Sequence, residues 1–476
     1  MDSAIGSKIR ATRRRQRIPQ AHLARQLGIS ASYLNLIEHN HRAVSADLLL
    51  RISQILPIDL KSLSPVETGR VTSELLEVFG DPLFENQEVF AREVSEVAGA
   101  APGVAQAILR LYEAYRGARD SAQTLASHLL TDGSEFVGPE RSRFPSEEVS
   151  DLLQKHSNYF PELEHGAEAL ARRARLESDS LFSDLAEFLR RDRGIEVRIE
   201  KAGHMRSAVR RYDPENRVLH LSEVLRRGSR NFQLAHQVGL LTQQAVLDRI
   251  AEDPMLTTEE SRALCRIALA NYFASCVLMP YVDFLKAAED ERYDIELLGH
   301  RFRASFEQTC HRLTTLRRPG AEGIPFQMVR VDIAGNVSKR FSVAGGGFAR
   351  FAGACPRWAV FEAFMTPGMI RTQLSQMPDG KVFFEVARTV RKDSGGYRAP
   401  RSQYAIGLGC DMSYASKMVY ADGLDLTSKD AFVPVGPTCR LCDRMDCEQR
   451  AHPRVQHALV VNEHVRGVSF YAPIAD

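Results

Sequence analysis

A chain of 476 residues is too long for one ordinary hydrophobic core and is expected to divide into about three domains. Its 44% hydrophobic and 26% charged residues exclude a disordered class; with no apolar run of 18 residues and no apolar segment behind Met1, neither a membrane span nor a secretory signal is expected, which places the chain in the cytoplasm. The net charge of +2 is uneven: residues 1–64 hold ten Lys and Arg against four acids, a surplus of six, so the remainder averages −4. A basic head on a slightly acidic body fits a phosphate-binding module tethered to something else.

Residues 1–66 read as a small all-helical domain. Ile5 and Ile9 mark a first helix that runs into Arg13-Arg14-Arg15. After Pro19, a second helix from Gln20 to Leu27 places Leu23, Ala24 and Leu27 on one face, and Gly28 ends it. Ser30 is expected to cap a third helix, Ala31 to His39, and Ser45 a fourth carrying Leu48, Ile52 and Ile55. Helix, glycine turn, helix is the helix-turn-helix plan, in which the third helix enters the major groove of duplex DNA. Ser30, Ser32, Tyr33 and Asn35 are then the candidates for base edges, with Gln20 beside them; Arg42 and the stretch from Arg13 to Arg17 are candidates for phosphates. The frame Leu23-Ala24, Leu27-Gly28-Ile29-Ser30, Tyr33-Leu34, Ile37-Glu38 and Arg42 resembles the Xre/Cro-type helix-turn-helix family. One such reader per chain implies a homodimer or larger on two half-sites, and the helix-forming residues 67–180 are the expected linker and dimerisation region.

From 181 to 345 the pattern changes to mixed α/β. A helix at Leu181–Leu189 precedes short strands at 194–200 and 217–221, then the run Asn231 to Leu241 and, downstream, Ala270 to Pro280. The arrangement resembles the IrrE/ImmA-like metallopeptidases, a zincin-derived fold whose zinc helix carries H-E-x-x-H. Here His236 is followed by Gln237 where the general base belongs and by Leu240 where the second histidine belongs. One histidine cannot hold zinc and glutamine cannot take a proton from water, so the frame is expected without the chemistry, and no enzyme is expected. His236 is then a packed or hydrogen-bonded residue. A hairpin follows, Phe326 to Val343, turning at Ala334-Gly335-Asn336. The triplet Gly345-Gly346-Gly347 could wrap a phosphate, but without a G-x-G-x-x-G or P-loop frame it reads equally as a flexible boundary.

The last region, 346–476, is expected to be a mixed α/β sensor domain with a cysteine-ligated metal site. It opens at Cys355-Pro356-Arg357-Trp358, has strand-like runs at 381–390 and 403–408, and ends in Cys439, Cys442 and Cys447, a C-x2-C-x4-C loop. Such a loop offers three thiolates to a soft metal centre. Cys355 and Cys410 are the candidates for the fourth. Four thiolates suit a [4Fe–4S] cluster or structural zinc equally, and His452 and His457 add to the zinc option. Arg350, Arg357, Arg398 and Arg401 are candidates for the phosphates of a ligand.

Taken whole, an Xre-type head, a degenerate IrrE-like middle and a tail with Cys355-Pro356-Arg357-Trp358, the run Ile406 to Asp411 and the cysteine loop through Pro453 resemble the short-chain fatty acyl-CoA regulator family of bacteria. That resemblance implies a DNA-binding transcription regulator of acetate, propionate or related carbon assimilation, with a coenzyme A thioester as effector. It also implies an iron–sulfur cluster in the tail of at least some members, which favours [4Fe–4S] over zinc. The alternative is a redox- or iron-responsive regulator without a metabolite ligand.

Overall fold

The computed structural model describes residues 6, 9–10, 12–13, 16, 18–39, 42, 44–56, 65–84, 89–129, 145–206, 208–341, 355–393, 401–436, 439, 442, 444, 447–452 and 468. The chain divides into two compact units. One gathers 1–138, 344–356 and 436–476; the other gathers 139–343 and 357–435.

In the first unit, α1 (Gln20–Leu27), α2 (Ala31–Glu38) and α3 (Ala46–Ile55) form the head. Gly28, at φ +67°, closes α1 in the left-handed region that a side chain would resist. Ser30 and Ser45 accept hydrogen bonds from the amides of Tyr33 and Leu48, as their positions predict. Ile9, Leu23, Ala24, Leu27, Leu34, Ile37, Leu48 and Ile52 bury together into one core. A separate apolar cluster joins α4 (Pro65–Phe79), α5 (Ala91–Ala100) and α6 (Pro102–Leu129) through Val71, Leu75, Val94, Leu109 and Tyr112.

The expected 67–180 linker is therefore two things. Residues up to 129 pack on themselves, whereas α7 (Pro145–Lys155) and α8 (Pro161–Ala174) contribute Val149, Leu152, Phe160 and Leu163 to the core of the second unit. There they meet α9 (Leu181–Arg193) and a three-stranded sheet of β1 (Glu196–Glu200), β2 (Arg210–Asp213) and β3 (Val218–Ser222) in the order β1-β3-β2. Then follow α10 (Arg227–Thr242), α11 (Gln244–Ala251), α12 (Glu259–Leu278), α13 (Tyr281–Asp290), α14 (Ile295–Arg301) and α15 (Phe306–Leu313). No single helix among the described residues is long and apolar enough to cross a membrane.

The expected boundary at 345 is also displaced. The hairpin β4 (Gln327–Asp332) and β5 (Val337–Phe341) joins a sheet with β6 (Arg371–Gln376), β7 (Val382–Asp393), β8 (Arg401–Asp411) and β9 (Phe432–Pro434), in the order β9-β6-β7-β8-β4-β5. The hairpin belongs with the later strands because its alternating apolar face (Met328 inward on one side, Val329 and Val331 on the other) needs a sheet to pair with. A short helix, α16 (Ala359–Glu362), follows the buried Trp358.

Candidate DNA-binding head, vestigial metal site and cysteine loop

Helix α2 presents Ala31, Ser32, Asn35, Leu36 and His39 to solvent, the residues that a 3.6-residue period places opposite the buried Leu34 and Ile37. Gln20 reaches this surface from α1 and donates to Asn35 Oδ1 at 3.3 Å and to Glu38 Oε2 at 2.9 Å. The contact sets the amide of Asn35 in one orientation. Tyr33 is half-buried against the core, Ser30 is committed to its cap, and Arg42 is exposed. Leu36 and His39 went unnamed in the sequence reading, although the same periodicity puts them on this face.

Arg13 is a correction. As one of a run of arginines it read as a phosphate contact, but its guanidinium is buried. It pairs with both oxygens of Glu38, Nε to Oε1 at 2.6 Å and Nη2 to Oε2 at 2.8 Å, and Nη1 donates to the carbonyl of Ile18 at 2.8 Å. That fork ties the first helical segment to the end of α2 and leaves nothing for DNA. Arg13→Ala is therefore expected to lower the stability of the head by roughly 1.5–3 kcal/mol, because it takes the cation from a buried Glu38 that keeps the Gln20 amide. The salt dependence of promoter binding should keep its slope; a slope reduced by about one would restore Arg13 to the phosphates.

In the second unit, His236 lies buried on α10 and its Nδ1 is 2.8 Å from Asn271 Oδ1 on α12. Burial, reinforced by the charge of Arg210, holds its pKa down at about 4, so the ring is neutral at physiological pH. This is the hydrogen-bonded histidine that the sequence predicted. Gln237 is buried, and Leu240 packs against the core where a second ligand would stand. Among the described residues, no second histidine and no acid joins His236 in a metal-binding group.

The cysteine loop belongs to the first unit, as does Cys355. Cys355, Cys439 and Cys442 are buried and Cys447 is half-buried. Arg450, 5% exposed, is the organising residue: Nη1 donates to the carbonyl of Cys439 at 2.5 Å, and Nη2 donates to those of Cys442 at 2.8 Å and Arg444 at 2.6 Å. Gly436 permits close approach, since a Cβ there would stand 2.7 Å from Cys442 Sγ. Among the described residues, no three His, Cys, Asp or Glu side chains are gathered in a metal-binding arrangement. The chemistry of the donor set nonetheless suits a soft metal: buried thiols with the Arg450 guanidinium held against the carbonyls of Cys439 and Cys442.

Cys410 is a second correction. It sits near the end of β8 in the core of the other unit, with its sulfur 3.8 Å from that of Met418. Burial pushes its thiol far above the ordinary range, so it is a core thiol and not a ready thiolate. Arg357 and Arg401, candidates for ligand phosphates, are not brought together among the described residues. The carbonyl of Arg357 accepts from Gln373 Nε2, and Arg401 opens β8 opposite Asp393. Arg398, Arg350 and His457 lie outside the described residues.

Three family profiles match successive stretches: helix-turn-helix over 9–63, the IrrE N-terminal-like domain over 190–314, and the C-terminal domain of short-chain fatty acyl coenzyme A regulators over 315–471. The chain is 41% identical to a propionyl-CoA carboxylase regulator of Cereibacter sphaeroides over 98% of both chains. It is 38% identical to the HTH-type transcriptional regulator RamB of Mycobacterium tuberculosis over 98% of both, and 37% identical to PrpR of the same organism over 96% of this chain and 93% of that one. A solved structure of a Mycobacterium tuberculosis transcriptional regulator superposes with a TM-score of 0.67 at 41% identity, covering 70% of this chain and all of that one. With head, middle and tail matched in order and relatives aligned almost end to end, the chain belongs to the short-chain fatty acyl coenzyme A regulator family of helix-turn-helix transcriptional regulators.

Proposed function

We propose that this protein binds promoter DNA as a homodimer and controls genes of propionate or related short-chain acyl metabolism, with a short-chain acyl-CoA as the effector. The observation that carries the reading is the pairing of an intact reading helix, α2, with a middle domain whose catalytic positions are filled by Gln237 and Leu240. A fold can outlast its chemistry, and a ligand that binds one conformation of the chain better than another shifts DNA affinity by that difference. The names of the relatives, regulators of propionyl-CoA carboxylase among them, supply the metabolic context. Duplex promoter fragments titrated at low salt, with and without propionyl-CoA, test it directly. Binding that ignores the thioester but follows oxidation would replace the effector with a redox signal.

The reading includes a [4Fe–4S] cluster in the tail, with zinc as the alternative. Cys439, Cys442, Cys447 and Cys355 are the residues that would hold it, and Cys410 is set aside because its thiol is buried against Met418 in an apolar core. Such a centre supplies one-electron redox chemistry and a clamp on the loop. Thiolate sites rarely pre-form without their metal, so loading and loop closure are one event. Arg450 holds three loop carbonyls and places a positive charge beside thiols that must ionise. Anaerobically purified protein is expected to be brown with about four irons per chain, and Cys442→Ser to lose most of that iron. Colourless protein with stoichiometric zinc would reverse the assignment.

A further inference from the structure

We propose that the end of the six-stranded sheet beside α15 is an anion site built for the phosphates of a nucleotide. Resting on the reading above, it would receive those of the coenzyme A moiety. The site lies wholly within the second unit. Glu307 on α15, its side chain 11% exposed, is met by three cations: Arg330 Nη1 at 2.9 Å, Lys339 Nζ at 2.9 Å and Lys392 Nζ at 3.0 Å. Register brings two of them together, since Lys339 on β5 stands opposite Arg330 on β4; Lys392 comes from further along β7, opposite Ser402 and on the same face as Arg388 in the Arg330 row.

One carboxylate cannot balance three cations. None of the three has a second carboxylate among the described residues. Asp332, at the end of the same strand, is taken up by its own turn, accepting from the amides of Ala334 and Asn336 and from Asn336 Nδ2. Arg330 spends Nε on Ser338 Oγ and Nη1 on Glu307, which leaves Nη2. Two of the cations lie over the Tyr404 ring, Arg330 at 4.8 Å and Lys392 at 5.8 Å from its centre. Beside it, Arg388 covers the ring of Phe306 and pairs with Glu296.

The titration of the neighbours agrees. Burial, together with Arg330 and Lys392, holds Lys339 below the ordinary lysine range despite Glu307, and burial with Lys339 holds His311 down at about 4. A surplus of two positive charges held together in a half-buried setting is self-repelling until a multivalent anion completes it. A nucleotide bearing several phosphates matches that surplus, and a planar arginine with a free nitrogen suits its oxygens.

The test is calorimetry on the full chain at low salt with four probes: propionyl-CoA, its 3′-dephospho form, ADP, and S-propionyl-N-acetylcysteamine, which carries the thioester without phosphates. The variants are Lys339→Gln/Lys392→Gln and, at a half-exposed position that spares the fold, Lys392→Glu. Both are expected to weaken propionyl-CoA and ADP at least about tenfold while the cysteamine thioester binds as before. Unchanged propionyl-CoA affinity in both variants overturns the site and leaves the effector reading standing. Wild-type protein that binds ADP through these lysines but ignores propionyl-CoA does the reverse. Loss of promoter affinity in ligand-free variants would make the patch a DNA contact and overturn the proposal.

Discussion

Replacing Arg312 by Met is expected to cost the second unit about 3–5 kcal/mol, the penalty for leaving one half of a buried ion pair alone. Arg312 is completely buried and meets Glu164 through two bonds, Nη1–Oε1 at 2.6 Å and Nη2–Oε2 at 3.0 Å. Nε donates to the carbonyl of Met279 at 2.9 Å, and Nη1 also reaches Thr315 Oγ1 at 3.0 Å. On the other side, Tyr272 Oη donates to Glu164 Oε1 at 2.8 Å. The cluster thus joins α8, α12 and α15, three helices far apart in sequence. Burial by itself would raise the Glu164 carboxyl; the charge and hydrogen bonds of Arg312 and the Tyr272 hydroxyl bring it below the usual carboxylate range instead. Without Arg312 that balance reverses, so the carboxylate must take up a proton or drag in water.

Glu164→Leu combined with Arg312→Met should recover most of the loss, because two apolar side chains of similar volume leave no charge behind. The only tryptophan, Trp358, is fully buried in the same unit and reports its unfolding in a urea titration. A single variant that unfolds with wild-type protein, or a double variant no better than the single, would show that the pair does not hold these helices.

What the sequence disclosed follows from which signals are local. The head was legible because its stops and caps are: Gly28 ends a helix by its own backbone freedom, and Ser30 and Ser45 cap by their own hydroxyls. The loss of the peptidase site was legible because the absence of a histidine at position 240 is visible in the letters. The role of Arg13 was not, since a run of arginines looks the same whether one of them faces water or Glu38, 25 residues away. The hairpin at 327–341 was found as a hairpin but assigned to the wrong neighbour. Register within it is local, whereas its pairing to β8 is settled by a strand that begins at Arg401. Cys410 failed for the same reason: a cysteine at a strand end looks like a ligand until the Met418 sulfur beside it is seen.

A last expectation concerns pH. Across β6, β7, β8 and β4, Gln373, Glu385, Gly409 and Gln327 stand opposite one another in a single row, so the three polar side chains share one buried face of the sheet. Glu385 accepts from Ser375 Oγ at 2.9 Å and from the amide of Ala359; its other oxygen has no partner among the described residues, nor have the amide atoms of Gln327. Burial raises its pKa to about 8, so the folded protein carries it as the neutral acid at pH 7.

The sign follows from that direction. Below the unfolded-state value, near pH 4.5, both states are protonated and Glu385 imposes no penalty. As pH climbs from there to about 8, the unfolded chain gives up the proton and the folded one keeps it, so stability drains away through that window and levels off above it. The loss is about 5 kcal/mol at most. Glu385→Gln is neutral throughout and keeps an oxygen to accept from Ser375, so its stability should lack this component. Between pH 5.5 and pH 9 the urea midpoint of the wild type, followed through Trp358, is expected to fall more steeply than that of the variant. Parallel pH profiles would mean that Glu385 ionises in place, with water reaching the row beneath α16.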